Sequence, residues 1–240
     1  MSHPAPALLP SAADLQAALN HRRTTVRSLR ALAHIRFRDA DESNTSREAI
    51  VVARPNRLRI EVLSMLGSVF VLTADDGVLT AYVRQEDTVY RGQASPENLW
   101  RYARVALPIN DLVDLILGTP PARQGGRTSV SFDGDTGRIG LWQDLERGAQ
   151  LTWFSATGLP LAAEESDAEG RPQWRATFAD YQDRGDVPVS TRIILDVPQR
   201  RRSLEIVLDD VDLNPALNGA LFALQVPPGS KVVDLDRGAD

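Results

Sequence analysis

The chain of 240 residues has no cysteine, which excludes disulfides, thiol catalysis and thiolate metal sites at once. Histidine is scarce, with three in all: His3, His21 and His34 fall in a leader, a helix and a strand, and no pair has metal-ligand spacing. No window approaches the ~18 consecutive apolar residues of a membrane-spanning helix, and no signal peptide is legible in the sequence as it stands. Basic excess is absent too. With 27 Lys+Arg against 32 Asp+Glu the net charge is −5, which argues against nucleic acid as a partner. There is no Gly-rich phosphate loop, nucleophile elbow or GxGxxG, and the paired acids Glu164-Glu165 and Asp209-Asp210 are neighbours in strands, so they face opposite ways. No cofactor, no metal site and no catalytic residue is expected.

What is present is an ordinary globular composition, 42% hydrophobic and 25% charged, enough for one large domain, with two small ones as the alternative. Residues 1–10 read as a Pro-rich flexible leader and residues 11–240 as a single domain. Ser11, with Asp14 three residues later, opens an amphipathic helix to about Ser28. Strand-like period-2 runs follow at 32–38 and 47–54. Asn56 and Pro55 turn the chain into the stretch with the longest apolar run, 55–73, where Leu58, Ile60 and Val62 alternate with Arg57, Arg59 and Glu61. The alternation fails over 63–68, a hairpin tip or longer loop, before Val69–Leu72 resume as a strand. Met65 and Leu66 are apolar at a tip, where polar residues are usual. Two readings stand: another element covers them, or they meet a membrane or lipid.

Asp75-Asp76-Gly77 is a turn, and 78–84 and 87–91 continue the antiparallel pattern. Ser95 and Pro96 start a second helical region with Leu99, Trp100 and Tyr102. After Pro108, Asn110 is placed to cap a short apolar helix that ends at Gly118. Strand-sized runs then recur at 127–132, 137–143, 149–154, 158–164, 173–181, 187–196 and 202–209, with a short one at 222–226. Trp142, Trp153 and Trp174 lie in strands, as core or cavity wall. The sum is α+β and mostly antiparallel, and a sheet of that size must curl: an incomplete, half-open barrel with helices over its concave face.

Two stretches, LSMLGS at 63–68 and LPINDLVDLILGTPP at 107–121, resemble the LolB branch of the LolB/LolA-like family of bacterial outer-membrane lipoprotein receptors and carriers; LNPALNGALFALQVPPG at 213–229 resembles the final strands of the LolA branch. The resemblance implies an apolar cavity that takes the acyl chains of lipoproteins or related lipids and delivers them to the inner leaflet of the outer membrane. It also implies a periplasmic carrier as a possible partner, and a protruding loop whose Leu, here Leu66 beside Met65, enters the bilayer. On this reading the wall comprises Leu58, Ile60, Val62, Phe70, Leu72 and Tyr82, closed by Trp100, Leu112 and Ile116. Such receptors sit on the periplasmic face of the outer membrane through an N-terminal lipidated Cys; the expectation is that Met1 replaces that Cys in an engineered soluble form. The alternative is a sensor or scaffold of the same fold that binds an envelope protein or a glycolipid.

Overall fold

The computed structural model describes residue 3 and residues 8–40, 42–65 and 67–237. Helix α1 (Ala12–Thr25) is followed by β1 (Ser28–Arg38), β2 (Ser43–Ala53), β3 (Arg57–Ser64), β4 (Gly67–Asp75), β5 (Val78–Val83) and β6 (Thr88–Gln93). Helices α2 (Pro96–Ala103) and α3 (Ile109–Ile116) come next. The second run comprises β7 (Thr128–Asp133), β8 (Arg138–Leu145), β9 (Gly148–Phe154), β10 (Pro160–Ser166), β11 (Pro172–Arg184), β12 (Val187–Val197), β13 (Arg202–Leu213) and β14 (Lys231–Asp234). The strands hydrogen-bond in the order β14-β6-β5-β4-β3-β2-β1-β13-β12-β11-β10-β9-β8-β7, a sheet that starts and ends without closing. The class is therefore the expected one, α+β, mostly antiparallel and an incomplete barrel. β14 departs from the pattern by running parallel to β6.

The described residues fall into two compact units, one within 1–25, 37–43 and 118–206, the other within 26–36, 44–117 and 207–240. In the first, α1 lays Leu15 and Leu19 on Ile139, Leu141 and Phe154 of β8 and β9. The helix starts where the sequence says, because Ser11 and Asp14 cap each other's backbone: Ser11 Oγ accepts from Asp14 N at 3.1 Å, and Asp14 Oδ2 accepts from Ser11 N at 2.9 Å. It ends at Thr25 rather than Ser28, since Leu29, fully buried, belongs to the strand that begins at Ser28, and Val26, also fully buried, lies in the link before it.

In the second unit α2 packs against β5 and α3 against β3. Ser95 caps α2 as read, accepting from Asn98 N at 3.2 Å. Asn110 does not cap α3; the N-cap is Pro108, without a side-chain bond, and α3 is held instead by burying Ile109, Leu112, Val113, Leu115 and Ile116. An ion pair from Asp114 of α3 to Arg54 anchors it further, and Arg54 Nε also donates to Val26 O at 3.0 Å.

Two other expectations are corrected. Trp142 is not core: it is 42% exposed and its indole N–H donates to Asp144. Residues 222–226 are not a strand, because Asn218 caps a 3-10 turn at Gly219–Phe222 and Pro227-Pro228 follow. The strand of this region is β14, later in the chain.

Candidate functional site

The candidate site is built in the second unit from the register of β2–β6. Cross-strand partners Ile50, Ile60, Leu72, Ala81 and Tyr90 form one row, and Val52, Leu58, Ala74 and Leu79 the row beside it. Both rows share a face, since side chains two apart along a strand point the same way. Tyr90 marks which face the helices cover: its ring lies 5.3 Å from that of Tyr102 on α2. The opposite face carries Arg57 and Arg59, on which the C-terminal segment rests. Arg59 Nη1 donates to Leu221 O at 2.9 Å and the Arg57 guanidinium lies over the Phe222 ring.

Of the wall residues read from the sequence, Leu58, Ile60, Val62, Phe70 and Leu72 come together on the helix-covered face. Leu58 and Leu72 are fully buried, whereas Ile60, Val62 and Phe70 are half-buried. Leu112 and Ile116 on α3 are buried and Trp100 on α2 is half-buried. Tyr82 does not join them. Its register partners are Val71 and Val89, so it lies on the other face, where its hydroxyl donates to Asp87 at 3.1 Å. Counting by two from Leu72 across the β4–β5 turn places Tyr82 wrongly because that turn, not the alternation, sets the register.

Sequence reading missed Glu48. It pairs with Val62 in register, and so stands on the same apolar face, 8% exposed. Burial raises its carboxyl above the ordinary carboxylate range, and the hydrogen bond from Ser46 Oγ at 2.6 Å pulls the other way. The signal was available, since Glu48 shares the parity of Ile50 and Val52 along β2.

At the end of this face β3 and β4 run on to the pair Ser64–Gly67, leaving a tip of two residues, Met65 and Leu66. The broken alternation over 63–68 therefore reflects a register shift beside Val62 and a tight turn, not a long loop. Gly67 takes φ +98°, a conformation open to glycine and costly for other residues. Met65 is fully exposed at 103%, and Val69 behind it is 39% exposed. Leu66 lies outside the described residues. The acid nearest the tip on β3, Glu61, is engaged by Arg59 Nε at 2.6 Å and by Ser68 Oγ at 2.7 Å.

The sequence model of a family described as "Outer membrane lipoprotein LolB" matches residues 33–210, about three quarters of the chain. The chain belongs to the LolB family. The match takes in the β3–β4 hairpin and helices α2 and α3 and leaves the C-terminal segment and β14 beyond it. No curated protein matches the chain. Among solved structures, the fold is similar to the LolA superfamily protein NE2245 from Nitrosomonas europaea, with 14% identity, TM-score 0.61, and 90% of this chain and 99% of that one covered. It is likewise similar to a putative outer membrane lipoprotein-sorting protein domain from Vibrio parahaemolyticus, at 15% identity, TM-score 0.59, and 88% and 97% coverage. A DUF1329 family protein from Desulfovibrio piger has TM-score 0.61 at 13% identity, with 88% and 95% covered. At these identities the likeness concerns the fold. Among the described residues of this LolB-family chain, no helix is long and apolar enough to cross a membrane.

Proposed function

We propose that this LolB-family chain binds the acyl chains of lipoproteins, or of related lipids, on the apolar face of β2–β4 under α2 and α3, and delivers them into the inner leaflet of the outer membrane. The carrier role is what family membership supports; the delivery step rests on one observation, the full exposure of Met65 at the end of a two-residue hairpin. An apolar side chain held there has no polar reason to be at the tip, and a bilayer supplies what water does not.

The energetics fit a non-catalytic carrier. Each methylene moved from water to an apolar surface gains about 0.8 kcal/mol, so an acyl chain leaves a bilayer only for another apolar host. Between two apolar hosts the transfer is near neutral and requires no bound nucleotide. In this account residues 11–240 act as one lipid-binding domain at the periplasmic face of the outer membrane, and a periplasmic lipoprotein carrier is the donor partner.

The test separates holding from handing over. Met65→Glu, alone or with Leu66→Glu, leaves binding of a fluorescent acyl probe within twofold of the unaltered protein and lowers delivery of that probe to liposomes at least tenfold. Delivery at the unaltered rate overturns the membrane role of the tip.

A further inference from the structure

The first unit holds a cavity of about 500 Å3 between α1, strands β8 and β9, and the segment 121–126. Its chemistry is unlike that of the apolar face described above, with which it shares no lining residue. Although acids outnumber bases in the chain, among the described residues no Asp or Glu lines this cavity, while Arg23 and Arg123 both do. Amides supply much of the remainder, and two of them are deeply buried: Gln143 is 7% exposed and Gln150 4%.

These amides hold the loop that carries Arg123. Gln143 Nε2 donates to Arg123 O at 3.2 Å and Gly125 O at 2.8 Å, and Gln150 Nε2 donates to Pro121 O at 3.2 Å. Arg123 Nε donates to Glu165 Oε2 at 2.8 Å, which fixes the guanidinium. On the helix side, Arg23 Nη1 donates to Asn20 Oδ1 at 3.0 Å and Nη2 to Pro120 O at 2.6 Å. Both of these acceptors are neutral oxygens. Burial first, and the like charge of Arg123 second, hold the Arg23 guanidinium below its usual pKa. An anion in the cavity relieves the second of these and offsets the first.

We propose that this cavity binds a phosphate ester, taken up by Arg23 and Arg123 together. Planar guanidinium groups match phosphate oxygens with paired N–H donors, and the volume accommodates a headgroup-sized ester rather than a bare ion. The ester is carried either on a lipid headgroup or on a small soluble molecule, and the experiment tells these apart.

The probes are glycerol 3-phosphate, glycerol as the uncharged control, and dihexanoyl phosphatidylglycerol below its micelle concentration, each titrated calorimetrically into the full chain. Glycerol 3-phosphate binds and glycerol does not. Tighter binding of the short-chain lipid, by tenfold or more, assigns the site to a lipid headgroup; tighter binding of glycerol 3-phosphate assigns it to a soluble ester. Asn20→Asp places a carboxylate where Arg23 already donates, so the fold is kept and the anion loses affinity at least tenfold. Thr128→Glu, at an exposed lining position, gives the same loss by a second route. Absence of glycerol 3-phosphate binding, or unchanged binding in both folded variants, overturns the proposal.

Discussion

Ser64 and Gly67 face each other as the last register pair of the β3–β4 hairpin, and the Ser64 hydroxyl donates to the Gly67 carbonyl at 2.8 Å. Only two residues remain outside that pair. The tip is therefore a short, backbone-defined projection, and Met65 is held away from the sheet by geometry rather than by contacts of its own.

Gly67→Ala tests that geometry. At φ +98° an added Cβ is strained whatever space surrounds it, at a cost of about 1–2 kcal/mol in the left-handed region. Chemical denaturation should show a loss of that order with the same m-value, and liposome delivery should fall while acyl binding holds.

Arg54 and Asp114 join the β2–β3 connection to α3, each with a side chain only 14% exposed. Removing one partner strands the other in a mostly buried place, so Arg54→Ala and Asp114→Ala should each destabilise by about 2–3 kcal/mol, below the 3–5 of a fully buried pair. A double-mutant cycle is expected to give a total well short of the sum. Full additivity would mean the pair contributes nothing of its own.

Glu48 makes a pH prediction. Its carboxyl is raised by burial, so over the window above its unfolded value the native state binds more protons than the unfolded chain. Stability from this group is then fully present below about pH 4 and declines as pH rises through the folded value. Glu48→Gln removes the decline: its urea midpoint should exceed that of the unaltered protein at pH 7 and match it at pH 4. The reverse ordering at pH 7 would show that the ionised carboxylate is stabilised in place.

Much of this was legible in local pattern. Alternation at 57–62 found the inner face of β3, and Ser11 and Ser95 announced their helices, because these signals act over a few residues. What failed depended on partners far away in the chain. Tyr82 went to the wrong face because strand register across the β4–β5 turn is set by pairing, and β14 was missed because its parallel partner, β6, lies some 140 residues earlier. Val26 and Leu29 fit a helical stripe equally well until the strand beside them decides. The cavity of the first unit is invisible to motif reading, since Asn20, Arg23, Arg123 and Gln143 meet only once α1 lies on β8 and β9.

The account turns on the half-buried apolar residues of β3 and β4 being a host for acyl chains. The most direct measurement is a titration of a fluorescent acyl probe into the unaltered protein and into Ile60→Asp, with unfolding of both followed in parallel. Affinity at least tenfold weaker in a variant that still unfolds cooperatively is the expected result; equal affinity in the two proteins would contradict it.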